Sequence, residues 1–285
     1  MTAPVTAPDI FDRAARRRRR DRIVERYGEH GFLRAAMLEG LEDRLASVSR
    51  WFADMLDLGC FDGALAAPPG ARVARLDAGF RFARGAGGVQ GDEDRLPFAD
   101  AGFDLVVSAG VLDQVNDLPG ALALVRRCLR PDGLFLAALV GGTSLQTLRQ
   151  CLRAAEPDRP AARVHPMVDV RSAGDLLLRA GLALPVADVE TLTVRYAGLG
   201  RLLDDLRGMG AANLLAGRRA LGRETLARAA AAFAERADAD GRTAERFDIV
   251  HLTAWAPSPD QPRPAARGSG RTSLADALKR FPEGS

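Results

Sequence analysis

The chain has 285 residues, of which 47% are hydrophobic and 27% charged, and a formal net charge of +3. This is the make-up of a folded globular protein with one large domain, or a core domain with an elaboration. It excludes a membrane span, for want of an apolar run of 18 residues, and no secretory leader is expected after Met1-Thr2-Ala3-Pro4. Of the 40 basic residues only Lys279 is lysine, which reads as codon bias and lowers the weight of any arginine cluster. Cys60, Cys128 and Cys151 have no metal or redox spacing and suit a reducing compartment.

Residues 1–9, with Pro4 and Pro8, are expected to be disordered. From Phe11 to Arg26 the pattern is helical and carries the run Arg16 to Arg20. The favoured reading is a solvated face with acid–base pairs at helical spacing. The sharper one, a contact surface for an acidic partner or nucleic acid, lacks aromatic interleaving, and no nucleic-acid partner is expected. A second helix follows at 32–47, from its apolar spacing.

Next comes Met55-Leu56-Asp57-Leu58-Gly59-Cys60-Phe61-Asp62-Gly63, an apolar run that ends in an acid and a glycine-bearing turn. It reads as the first strand of an open α/β sheet, delivering a ligand to the carboxyl edge. Gly59 and Gly63 let backbone pass close to that ligand. A short helix at Ala64–Ala67 is stopped by Pro68-Pro69-Gly70, and residues 72–77 form a second strand ending in Asp77. An acid there can accept from both hydroxyls of an adenosine ribose, or merely cap the next helix.

The remaining strands are expected to end near Asp92, then at 103–108, 134–140, 185–188, 190–196 and 247–255. Helices are expected at 121–129, capped by Asp117 with Pro119 in the first turn, then at 144–156, 172–180 and 198–236, the last broken near Gly208-Met209-Gly210. A turn falls at Arg130–Gly133. From Pro257 the chain is a Pro/Gly/Arg-rich tail with a short helix at 273–280. Alternating strands and helices imply a mostly parallel, doubly wound α/β sheet with flanking helices. The expected organisation is an α/β domain over 11–255, with a core at about 50–143, a helical elaboration at about 144–245, and a tail over 256–285.

Together these pieces resemble a class I S-adenosylmethionine (SAM) methyltransferase, Rossmann-like in its sheet. The telling residues are the acid–Gly turn, Asp77, Gly91-Asp92-Glu93-Asp94 with Leu96-Pro97-Phe98, Phe103–Ser108 and Leu129-Arg130-Pro131-Asp132-Gly133. A closer resemblance is to the complex I assembly factor 5 (arginine hydroxylase) family, related to the malonyl-carrier-protein methyltransferase of biotin synthesis. It is carried by Phe11-Asp12-Arg13, Val115–Pro119, Gly141–Leu145, Asp205-Leu206, Gly208–Gly210, Asn213 and Ala266–Ser269. The resemblance implies that Asp57, Gly59, Cys60 and Gly63 line the methionine part of SAM and that Asp77 holds the ribose. It implies that Asp92 and Glu93 border the adenine and that Ser108 faces the sulfonium. No catalytic residue is named by it. It further implies a protein substrate, a complex I subunit, in the cytoplasm of a bacterium or the mitochondrial matrix of a eukaryote.

Three departures bear on that reading. Phe61 stands where the family has a small residue, Asp113-Gln114 replaces a His-Trp pair, and the helices after the first two strands are cut short. They keep a second hypothesis open: a non-catalytic assembly factor with a degenerate SAM site. His30, His165 and His251 are well separated and no His-x-Asp pair occurs, so no metal site is expected. No Gly-x-Ser-x-Gly elbow is present. Tyr196, Asp205 and Asn213 either line a substrate groove or serve helix surface and cap.

Overall fold

A computed structural model describes residues 9–158 and 161–261. The helix expected at 273–280 and most of the expected N-terminal disorder lie outside the described residues. Seven strands form one sheet: β1 (Asp54–Leu58), β2 (Arg72–Asp77), β3 (Val89–Gln90), β4 (Phe103–Ala109), β5 (Leu129–Gly141), β6 (Ala183–Tyr196) and β7 (Thr243–Trp255). Their order is β3-β2-β1-β4-β5-β7-β6. The first five run parallel, and β7 lies antiparallel between β5 and β6.

Side-chain alternation along the strands divides the core. Leu56, Leu58, Val106, Phe135 and Leu139 face one layer, which is closed by α4 (Phe80–Gly85), α5 (Leu118–Cys128) and α7 (Val170–Arg179). Met55, Leu105, Val107, Leu136 and Phe247 face the other, closed by α3 (Phe32–Ala46), α6 (Gln146–Ala155), α8 (Leu199–Gly208) and α9 (Arg223–Ala234). Burial on both faces is what the unbroken apolar runs of β1, β4 and β5 require. Asp117 caps α5 as expected, accepting from the Gly120 N–H at 2.8 Å. The N-terminal α1 (Arg13–Ile23) and α2 (Tyr27–His30) pack beside α4 and α8.

The structure corrects the sequence reading at several elements. Ala64–Ala67 is not helical, because Pro68-Pro69 leaves too few residues to close a turn; only a loop joins β1 to β2. The expected turn Arg130–Gly133 lies within β5, as an irregularity in its pairing with β4 where Asp132 takes φ 61°. The segment 198–236 is two helices, α8 and α9, separated by residues 209–222. The N-terminal helix stops at Ile23. The strands expected at 185–188 and 190–196 are one, β6, which is an edge strand with a bulge between Ala183 and Val186 and with Pro185 inside it.

Candidate functional site

The carboxyl ends of β1, β2 and β4 meet at the Gly59–Gly63 turn. Gly59 has φ +85°, and a Cβ there would lie 2.4 Å from Val111 Cγ1, so its missing side chain is needed by the chain itself. Its N–H and that of Cys60 both donate to the Leu76 carbonyl, at 2.8 and 3.0 Å. Gly63 also lies in the left-handed region, at φ +74°. Cys60 is buried, and burial pushes its thiol up to about 12, so it stays protonated.

Asp57, at the end of β1, is 1% exposed, and neither of its carboxylate oxygens has a hydrogen-bond partner. Arg75 Nε stands 3.8 Å from Oδ2, too far to donate. Burial raises this carboxyl to about 6. Buried polar groups are ordinarily paired, so the orphan carboxylate of Asp57, on β1 just before the turn, keeps its capacity to accept from a cation or hydrogen-bond donor.

The other acids of this edge are occupied. Asp77 accepts from the Phe61 N–H at 3.0 Å and the Gly79 N–H at 2.7 Å, and Arg20 Nη2 stands 3.6 Å away. Asp92 receives Arg17 at 2.6 Å. Glu93 receives Arg16 through two parallel bonds of 2.6 and 2.7 Å, and Asp94 receives Arg13 through two of 2.6 Å. Ser108 donates to the Leu58 carbonyl at 2.9 Å, so its hydroxyl proton is committed within the sheet.

This overturns the favoured reading of the arginine run. Arg16 is 4% and Arg20 3% exposed, and the acidic partner of α1 is its own chain. Arg13, Arg16, Arg17 and Arg20 follow i, i+3, i+4, i+7 spacing and share one face. An unbroken arginine run hides that period. Burial opposes the charge of Arg16, but the contact with Glu93 more than reverses it; Arg20 is held below its ordinary value by burial.

Phe61 is the centre of this closure. It takes φ +48°, where glycine is at ease and a phenylalanine is strained. Its ring stacks on Tyr27 at 4.9 Å and meets Phe82 edge-on at 5.6 Å. The Arg20 guanidinium lies 3.4 Å from its centroid, and that of Arg34 4.7 Å. Arg34 also ties α3 to the turn, reaching the Cys60 carbonyl at 3.2 Å. The sequence reading missed both arginines, which come from distant helices.

Beyond β4 the edge opens into a cavity of about 490 Å³. Leu145, Leu148, Leu152, Leu206 and Phe247 are among its apolar lining, and Arg19, Arg163, Arg207, Arg218 and Arg219 are its guanidiniums. Asp113, just after β4, faces it with an unpartnered Oδ1, and burial raises its carboxyl. His165 Nε2 accepts from the Leu214 N–H at 2.9 Å, which leaves the ring proton on Nδ1. Burial, then Arg19, lowers this imidazole to about 4, so it stays neutral. Asn213 also lines the cavity, while Asp205 bonds His30 Nδ1 at 2.9 Å.

This strand order, with its acid-bearing β1 and β2, is that of class I methyltransferases, whose cofactor is S-adenosylmethionine. Residues 56–137 match the family model described as a methyltransferase domain. The YcgJ protein of Bacillus subtilis shares the fold, with a TM-score of 0.55 at 17% identity over 77% of this chain and 97% of that one.

Arginine-hydroxylase NDUFAF5, mitochondrial, of Danio rerio is 34% identical over 95% of this chain and 90% of its own length. The Homo sapiens protein of the same name is 33% identical over 98% and 86%. The chain belongs to this arginine-hydroxylase NDUFAF5 family. A malonyl-[acyl-carrier protein] O-methyltransferase of Laribacter hongkongensis is 35% identical over 67% of this chain and 62% of its own.

The two acids of this edge differ in what they leave open. Asp57, with both oxygens unpartnered beside the glycine turn, has the chemistry to accept from a cationic group. Asp77 is fully buried, with Arg20 Nη2 3.6 Å away.

Proposed function

We propose that this protein is a SAM-dependent enzyme that modifies a side chain of another protein during assembly of respiratory complex I, by methyl transfer or arginine hydroxylation. The observation that carries the reading is Asp57, a buried carboxylate with both oxygens unpartnered at the end of β1. The family supports it: relatives matched over nearly the whole chain are named arginine hydroxylases. No helix among the described residues is long and apolar enough to cross a membrane. We place the protein in the bacterial cytoplasm, or in the mitochondrial matrix in a eukaryote.

Asp57, Gly59, Cys60 and Gly63 would hold the methionine part, Asp77 the ribose, and Asp92 and Glu93 the adenine, with Ser108 bracing β4 against β1. When bound, the cofactor supplies an electrophilic methyl group on a sulfonium. The chain's own part is positioning. Asp57 neutralises and orients the amino-acid end. The Arg34 bonds to the Gly59 and Cys60 carbonyls fix the turn.

A second reading, a non-catalytic assembly factor, is favoured by one observation: α1 already fills Asp92 and Glu93, and Arg20 covers Asp77. Calorimetric titration with SAM and with its demethylated product separates the two. Micromolar binding that disappears in Asp57→Ala supports the enzyme. No binding by the wild type sinks it and leaves the scaffold.

A further inference from the structure

The cavity beyond β4 carries charge that its own chain leaves uncompensated. Three of its guanidiniums are satisfied: Arg163 by Glu156, Arg207 by Asp204, and Arg218 by Asp12. Two are not. Arg19 Nη1 donates only to the main-chain carbonyls of Ala212 and Asn213, at 2.7 and 2.6 Å. Arg219 is exposed and makes no ion pair among the described residues. Burial and then the neighbouring Arg218 act against the charge on Arg19, and Asp12, which is already bonded to Arg218, offsets only part of this.

The lining offers little to offset these cations. Among the described residues its one lining carboxylate is Asp113, which burial shifts toward the uncharged form. His165 is neutral and brings a donor, Nδ1–H. Asn213 aside, the rest of the lining is leucine, valine, methionine, alanine and phenylalanine. Guanidiniums without a direct ion pair over an apolar floor complement one kind of ligand, an apolar body with an anionic end. A cationic ligand would meet like charge, and a neutral one would leave the guanidiniums as they are. A volume of about 490 Å³ lies in the range of small-molecule sites.

We propose that this cavity binds a single-chain amphiphile with an anionic head, carboxylate or phosphate, the chain lying on the apolar floor and the head against Arg19 and Arg219. The site needs neither the cofactor nor a protein acceptor, so it stands or falls apart from the enzymatic reading.

The test is calorimetric titration of the full-length protein with decanoate, decyl phosphate, decanol and decyltrimethylammonium, each below its micelle concentration. The anions are expected to bind at least about tenfold tighter than decanol, with the cation not binding. The tighter of decanoate and decyl phosphate identifies the head group. Arg219→Gln, a surface change, should weaken the anions about tenfold and leave decanol unchanged. Arg19→Gln should weaken them further, and Leu148→Trp, which fills the floor, should abolish binding with the circular dichroism spectrum retained. Equal affinity for decanol and decanoate, anion binding indifferent to both arginine substitutions, or no anion binding would each overturn the proposal.

Discussion

The two halves of the sheet's carboxyl edge are built on opposite principles. Over β1, β2 and β3 nearly every charge has a partner: α1 delivers four guanidiniums to Asp77, Asp92, Glu93 and Asp94. Beyond β4 and β5 the wall is largely apolar, and among the described residues Arg19 and Arg219 make no direct ion pair. Asp57 is the exception in the first half, a buried carboxylate with both oxygens unpartnered, while half-buried Asp113 in the second leaves its Oδ1 unpartnered. Charge that is satisfied internally serves closure; charge that is left over is available to a ligand.

The contrast can be broken most severely at Arg16. Arg16→Ala strands Glu93 in a buried site, and about 3–5 kcal/mol of stability should be lost in a urea melt. Replacing both partners with methionine should recover most of it. If the single variant melts like wild type, the pair is not what holds α1 on the sheet.

Phe61→Gly sharpens the comparison. Losing a buried ring costs about 3–5 kcal/mol, while relief of the positive φ returns about 1–2. A net loss of about 2–3 kcal/mol is expected, together with tighter SAM binding, since Arg20 loses the ring it rests on. Unchanged affinity would show that the ring lies outside the cofactor's path.

Asp57 gives a pH signature. Its carboxyl titrates near 6 in the folded protein and near 3.9 in an unfolded chain, so the folded state holds the proton more tightly. Its contribution is fully present below about pH 4 and is lost as pH rises to about 6, up to about 2–3 kcal/mol. Asp57→Asn should flatten that slope and stabilise the protein near pH 7. A variant less stable than wild type at pH 7 would mean that Asp57 already has a partner. Smallest is Arg72→Ala on the outer end of β2: its guanidinium is 81% exposed, and loss of its pair with Asp54 should cost under about 0.5 kcal/mol.

What could be read from residues alone follows the same divide. The buried strands are legible because burial on both faces demands unbroken apolar runs, and Asp117 before Leu118-Pro119 announces its helix. The acids at the ends of β1 and β2 are legible as acids. Their partners are not: the arginine run offers no visible period, and only the fold shows that Arg16 and Arg20 turn inward. Phe61 is visible as a departure from pattern, but its ring is placed by Tyr27, Phe82 and Arg20, which come from three separate elements. The cavity was least legible, because its lining is drawn from residues spread from Arg19 to Phe247.

The outermost strand has a consequence for the protein's behaviour in concentrated solution. β6 is a 14-residue strand that among the described residues pairs on one side only, with Leu184, Val186 and Val189 exposed along it. Such an edge is a template for strand addition by another copy. Here Pro185 withholds one donor, the bulge at its start breaks the straight register, and Asp188, Glu190 and Arg195 set charges along the rest. Such features oppose the growth of open-ended sheets by edge-to-edge pairing of neighbouring molecules.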